Sequence, residues 1–444
     1  MKTQALDTNE YLSFFQQELT ENLLFFWMPR CLDRVNGGYL NCFTNDGSKL
    51  ISTDKYTWSQ GRFLWMFSKL SMMESEMFSP DQRQEFLRYA ENGKNFLLKH
   101  VLLGPEDYRC VFLMDAQGQP KRVADHEGYD LSISADCFVV MGFAAYALAA
   151  NDEAAWDFAK RLGNSVWERY QSGNFRSLPY PVTAAYRSHA KPMLLTNVCC
   201  ELFKAAKYFD PQYAKLLQER IEQCHREVFE VFQDPHHLVH EFKYADGDFP
   251  NHLFGQHINP GHTLEDMWFQ LEAAGIIQQD WAVERIGQIV QRTMELGWDE
   301  EWGGLYHFVP CDGLNTAFQV GEAAEEPQMK LVLDDWGSKL WWVHSEAMYT
   351  TLLLYCRTND DAYWTLFQKV FQYTYRTFPN PDRSVREWIQ IRTREGLPQE
   401  KVVALPVKDP YHIIRNVILL IELLEGRAKE NNENRVVKKI PEGI

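Results

Sequence analysis

The chain lacks the marks of several protein classes. No run approaches the roughly 18 uninterrupted apolar residues of a membrane span, and Met1 to Leu12 offers neither the apolar stretch nor the cleavage site of a signal peptide. Basic residues are in deficit, 45 against 61 acidic, for a formal charge of −16. A surface of that sign repels phosphate backbones and anionic lipid, which argues against nucleic-acid and membrane partners. There is no CxxC pair. Nine cysteines, with only Cys199 and Cys200 adjacent, read as reduced, buried thiols rather than a disulfide framework. No GxxxxGK[ST] loop, strand-borne GxGxxG, HExxH or GxSxG occurs, so a conventional nucleotide cradle, a zincin helix and a serine-hydrolase elbow are absent. These exclusions predict a soluble, acidic, cytoplasmic protein.

What is present is a large apolar fraction, 45% hydrophobic and 14% aromatic, and internal repetition. At about 100–200 residues per domain, 444 residues suggest two or three domains, yet single barrels reach this size and no linker divides the chain. Asp33–Gly47 (DRVNGGYLNCFTNDG) and Asp299–Gly313 (DEEWGGLYHFVPCDG) share Asp, Gly-Gly and Asp-Gly at identical spacing. Each reads as a strand running into a tight turn. Each is followed by a Trp-rich apolar segment, in which Lys55 matches Lys339 and Trp58 matches Trp342. Looser copies place six apolar helices starting near residues 55, 131, 192, 262, 338 and 410. Six amphipathic helices alternate with them, opening near Asn9, Asp152, Asp280 and Asp360 and, with capping residues before proline, at Ser79-Pro80 and Asp210-Pro211. A helix apolar nearly all round is buried, whereas an amphipathic one lies outside. The pattern predicts an all-α protein, an (α/α)6 barrel with short β-hairpins at one mouth. A single catalytic domain would span residues 1–426, and 427–444 would form a polar tail.

In such a barrel the first turns of the inner helices converge on one cleft. They bring Arg62, Asn197, His262, Glu265, His344, Glu346, His412 and Arg415, and the last hairpin adds Glu387 and Trp388. His262 and Glu265, three apart, share a helical face, so that the carboxylate orients the imidazole. A histidine kept neutral at a helix N-terminus is a usable base near pH 7. His262 and His412, facing one another, suit removal of a proton from one face of a carbon and delivery to the other. Trp341, Trp342 and Trp388 offer apolar surfaces to a sugar ring, and Arg62 could bind a ligand oxygen or pair with Glu346, its counterpart in the repeat. The run His236–Glu241 (HHLVHE) contains metal-ligand types, but on a strand His236 and Glu241 would point to opposite faces, so no metal site is expected. The stretch around Glu325 and Glu326 reads as a solvated loop. A glycoside hydrolase is the competing reading, with Glu265, Glu346 and Asp299 as candidate carboxylates.

The strings NGGYL, KYTWSQGR, NPGHTLE, GWDEEWGGLY, KLWWVHSEAM, EW and PYHIIR resemble the N-acylglucosamine 2-epimerase superfamily, from about Phe26 to Leu424. That superfamily also holds cellobiose and mannose 2-epimerases and mannose-type aldose–ketose isomerases. The resemblance implies an (α/α)6 barrel and a sugar isomerase working without cofactor on a free monosaccharide, either N-acetylglucosamine/N-acetylmannosamine or glucose/mannose. It puts the catalytic pair on His262 and His412 and substrate contacts on Arg62, Asn197, Glu265, His344 and Trp388. Where cellobiose epimerases and the isomerases carry a further histidine, this chain has Asn197 nearby, which favours the monosaccharide epimerases. The resemblance also implies a homodimer, and nucleotide activation is known in the N-acyl branch, although no motif here predicts or excludes such a site.

Overall fold

The computed structural model describes residues 7–314 and 320–437. Six inner helices span Thr57–Met72, Ile133–Ala150, Ala190–Phe209, Pro260–Ile277, Trp341–Thr358 and Tyr411–Val437. The outer six are Thr8–Gln17, continued by π-helical and α-helical turns to Trp27, then Pro80–His100, Glu153–Ser172, Pro211–Glu227, Ala282–Gly297 and Asp361–Thr377. Each inner helix packs on the next, and the sixth returns to the first. That closure makes the (α/α)6 barrel and excludes an open solenoid.

The alternation of burial follows the sequence. Ile133 to Ala147 is buried without interruption. This helix, Ile133–Ala150, is the one among the described residues long and apolar enough to cross a membrane, but 83% of it is inside the protein. The outer helix Pro211–Glu227 instead buries Tyr213, Ala214, Leu217, Arg220, Ile221 and Cys224, a stripe at three-to-four-residue spacing. Two glycines bring the first two inner helices together. A Cβ on Gly61 would lie 2.4 Å from the Phe138 carbonyl carbon, and one on Gly142 would lie 2.6 Å from the Gly61 oxygen.

Inner-to-outer connections are tight. Asn151, Gln278 and Asn359 end inner helices in the left-handed conformation. Asp152, Asp210 and Asp360 then cap the following outer helices, and Ser79 forms a capping box with Gln82. The long segments therefore all run from outer to inner helices and gather at the end where the inner helices begin. In the two closest repeats, Asp33 pairs with Lys55 at 2.8 Å and Asp299 with Lys339 at 3.0 Å, in buried positions. A third version pairs Glu387 with Lys408 at 2.6 Å. Here Arg386 and Glu387 hold the positive φ that Gly37-Gly38 and Gly303-Gly304 take elsewhere.

Three expectations need correction. Four of the five two-stranded ladders join successive units rather than closing a local hairpin; Lys55–Tyr56, for example, pairs with Leu113–Met114. Only Leu102–Gly104 with Asp107–Cys110 is a local hairpin among these ladders. The acidic stretch is no plain loop: it forms the turn Gly321–Glu325 and helix Pro327–Asp335, whose Met329 and Val332 cover Tyr186, Phe242 and Phe254 beside the mouth. The last inner helix runs through Val437, across the 426/427 boundary set by composition, while residues 438–444 lie outside the described residues. All nine cysteines are free, seven of them buried.

Candidate active site

At the mouth, a cleft of about 1240 Å³, open to solvent, is lined by Arg62, Lys191, Asn197, His262, Trp342 and His412 among others. His262 is the third residue of its helix and follows the cap Asn259, whose Oδ1 accepts the His262 backbone N–H at 3.1 Å. His412 is the second residue of its helix. Both imidazoles lie on the same indole, Trp342, with ring centroids 5.3 and 5.6 Å away.

Each imidazole has a carboxylate behind it. His262 Nδ1 is 3.0 Å from Glu241 Oε2. Glu241 comes from the extended segment before the fourth inner helix and not from the His262 helix. His412 Nδ1 is 2.7 Å from Glu346 Oε1, on the fifth inner helix. An Nδ1–H that donates to a carboxylate leaves Nε2 unprotonated and turned toward the cleft. Burial, reinforced by the Arg62 and Arg415 cations against the pull of Glu265, drives His412 down to about 3, so it is neutral at physiological pH.

Glu265 does not serve His262. Its Oε1 accepts from Arg415 Nη2 at 2.5 Å and lies 3.6 Å from His412 Nδ1. The same Nη2 donates to Glu346 at 2.6 Å, and Trp268 Nε1 donates to the other Glu346 oxygen at 2.8 Å. Glu265, Glu346 and His412 stand close enough together to ligate a metal. The Arg415 guanidinium, however, already provides the positive charge between these carboxylates, so the donor set is poorly suited to a cation. Arg62 pairs with Asp409, not Glu346, and lies 4.1 Å above the Phe138 ring. Its Nε is buried without a partner. Asn197 lines the cleft and has no side-chain hydrogen bond among the described residues.

Two predicted substrate contacts lie elsewhere. His344 is fully buried; its Nδ1–H donates to the Leu340 carbonyl at 2.7 Å, and its Nε2 accepts the Leu305 N–H at 2.9 Å. Burial forces it down to about 3. In the first repeat Gln60 does the same work, holding Tyr39 N–H and C=O at 2.8 and 2.9 Å. His344 is therefore a brace for its hairpin. The fourth residue of a helix is rotated about 100° per residue past the second and third, away from the cleft. Trp388 occupies the place of Tyr39, stacks on Phe378 and donates Nε1–H to Glu18 at 2.7 Å inside the core. The hydrolase carboxylates are also committed: Asp299 is held by Lys339 and Arg394, Glu265 and Glu346 by Arg415.

Sequence reasoning missed Glu241, Lys191 and His189. Glu241 appeared only as an unpromising metal ligand. Lys191 lines the cleft without an ion pair among the described residues, and burial lowers it to about 8. His189 lies behind Glu241, 3.6 Å from its Oε1 and 2.7 Å from Asp266 Oδ2. Its position just before a helix, with no periodic signal, concealed it.

A family model described as N-acylglucosamine 2-epimerase (GlcNAc 2-epimerase) matches residues 38–416. The N-acylglucosamine 2-epimerase of Bos taurus is 29% identical over 91% of this chain and 89% of its own length. A D-mannose isomerase of Marinomonas mediterranea is 21% identical over 93% of this chain and 96% of its own. Among solved structures, a cellobiose 2-epimerase from Spirochaeta thermophila superposes with a TM-score of 0.73 at 19% identity, covering 95% of this chain and 98% of its own.

Proposed function

The chain belongs to the N-acylglucosamine 2-epimerase family, and from that premise we propose that it is a sugar isomerase interconverting the C2 epimers of a free monosaccharide, the N-acylglucosamine/N-acylmannosamine pair first. The carrying observation is the paired arrangement of His262 and His412. Each is anchored at Nδ1 by its own carboxylate, and both lie on Trp342 with their free edges in one cleft. The preference for an N-acylated sugar is supported by the curated relatives of that name at 27–29% identity, against 21% for a cellobiose epimerase and a mannose isomerase.

The chemistry follows from the acidity of the substrate. The C2 hydrogen becomes acidic only once the ring opens and C1 is a carbonyl. Opening requires one proton taken from O1 and one given to O5. Neutral His412 is suited to the first step and the Lys191 ammonium to the second. His262 then removes the C2 proton, and charge moves onto O1 as an enediolate. Arg62, fixed by Asp409 and by the Phe138 face, lines the cleft and is suited to hold that oxygen in the manner of an oxyanion hole. His412, now carrying the O1 proton, returns it to C2 from the opposite face. Hydrogen leaves and returns as a proton, so the reaction needs no redox cofactor. The Asn197 amide, which lines the cleft, remains for sugar oxygens.

The test is substitution. His262→Asn and His412→Asn should each abolish net epimerisation of N-acetylmannosamine without changing the circular dichroism spectrum. Epimerisation retained by both single variants would overturn the two-histidine reading.

A further inference from the structure

We infer that His189 and Asp266 are positioning residues which, acting through Glu241, set the pH range in which His262 removes a proton. This inference rests on the reading of His262 as a base. The four groups form one chain of contacts: Asp266 Oδ2 to His189 Nε2 at 2.7 Å, His189 Nδ1 to Glu241 Oε1 at 3.6 Å, and Glu241 Oε2 to His262 Nδ1 at 3.0 Å. His189 and Asp266 are wholly buried and Glu241 nearly so, whereas the His262 side chain is 22% exposed. The chain thus runs from the interior to the cleft. The backbone holds it together, since His189 N–H donates to the Glu241 carbonyl at 3.0 Å.

Charge gives the chain its role. Burial opposes a charged His189, but the hydrogen bond to Asp266 and the nearby charges of Asp266 and Glu241 outweigh it and raise the imidazole to about 9. His189 is therefore a cation at neutral pH. Glu241, despite its burial, stays ionised between the two imidazoles, held well below the usual carboxylate range. A carboxylate facing His262 alone would pull a proton onto it and spoil it as a base. Because Glu241 also answers the His189 cation, its pull on His262 is divided.

The surrounding groups leave this balance intact. His257, near Glu241, is forced down to about 4 by burial and is neutral. His307, near His262, is lowered by burial and held by Asp335 at 3.0 Å. Gln270, a neutral group, occupies the other oxygen of Asp266 at 2.7 Å and bridges it to His225, which burial also lowers. Phe232 covers the His189 ring, and Trp342 covers His262. No ion pair among the described residues reaches Glu241 or Asp266 apart from those in the chain.

The experiment is the pH dependence of kcat/KM for C2–H exchange. It is measured on whichever epimer loses exchange in His262→Asn, and absence of any such epimer would refute the base assignment itself rather than this inference. Because burial holds His412 near 3, it contributes no limb above pH 5, and the acid limb is followed by how it moves in the variants. His189→Gln should move the acid limb to higher pH by about one unit, with the rate recovering above the shifted limb until the alkaline fall set by Lys191 near 8. Asp266→Asn should do the same with His189 in place, because it removes a carboxylate that keeps His189 charged. Glu241→Gln should move the limb the other way. If His189→Gln does not fold, Asp266→Asn and Glu241→Gln read the same quantity, and an NMR titration of the labelled His262 imidazole reads it without turnover. A rate lowered equally at every pH, with the limb unmoved, would reduce the chain to packing and overturn the inference.

Discussion

Replacing Glu346 by glutamine tests the His412 arm with one atom. Glu346 Oε1 takes the His412 Nδ1–H at 2.7 Å and an Arg415 N–H at 2.6 Å, while Oε2 takes the Trp268 N–H at 2.8 Å. An amide keeps only one of these acceptors. If its oxygen stays on the His412 side, the new NH2 opposes the Trp268 N–H, and a buried donor left unpaired costs about 1–3 kcal/mol. If the amide turns over, its NH2 faces His412 Nδ1, and the ring switches tautomer to accept it. Nε2 then carries the proton, and the cleft loses its second base. In either orientation the imidazolium that must form during turnover loses its nearest counter-charge and keeps only Glu265, 3.6 Å from Nδ1. The expected fall in kcat is roughly 10²–10⁴-fold, with KM within a few-fold because Glu346 lies behind the histidine. Steady-state epimerisation and urea denaturation would be measured on the same preparation. A Glu346→Gln protein that folds and retains kcat within threefold of the parent would refute the reasoning.

Further outcomes follow from the same geometry. His344→Gln should leave kcat, KM and stability nearly unchanged, since Gln60 does this work in the first repeat; His344→Phe should cost about 1–3 kcal/mol for each orphaned backbone group in denaturant titrations. Lys191→Met should lower kcat about 10–100-fold on the cyclic sugar. The parent should also lose activity as pH rises through about 8, where the buried ammonium gives up its proton, and the variant should lack that limb. Stability should fall on acidification. His257, His344 and His412 titrate near 4, 3 and 3 when folded, below an unfolded value of about 6.5, so below pH 6.5 the unfolded chain binds more protons. Each then costs about 1.4 kcal/mol per pH unit, and a urea midpoint that is flat or rising from pH 6.5 to 4.5 would contradict this. His189 has the opposite sign: its contribution is complete below about 6.5 and is lost as pH rises toward 9.

The ring of helices was legible because its signal is periodic: six apolar stretches alternate with six amphipathic ones, each opened by a cap. His262 and His412 were legible because they stand in the first turn of inner helices, where chain direction alone aims them at the cleft. Their carboxylates were not, because Glu241 stands 21 residues before His262 on the preceding extended segment and Glu346 stands on the neighbouring inner helix, 66 residues before His412, separations that no helical spacing encodes. Helical periodicity assigned Glu265 to His262, but the glutamate faces Arg415, a partner 150 residues away. The Trp388 and His344 errors are of a different kind. Aligned with Tyr39 and Gln60, both are hairpin supports, and the repeat already held that information.

The most direct test of the central claim is a proton NMR time course in deuterated water, with N-acetylmannosamine and D-mannose in parallel. N-acetylmannosamine should give its gluco epimer with deuterium at C2. A ketose formed from mannose would place the second protonation at C1 instead. Product formed with no solvent deuterium at C2, or no loss of C2–H from either sugar, would contradict proton transfer by His262 and His412.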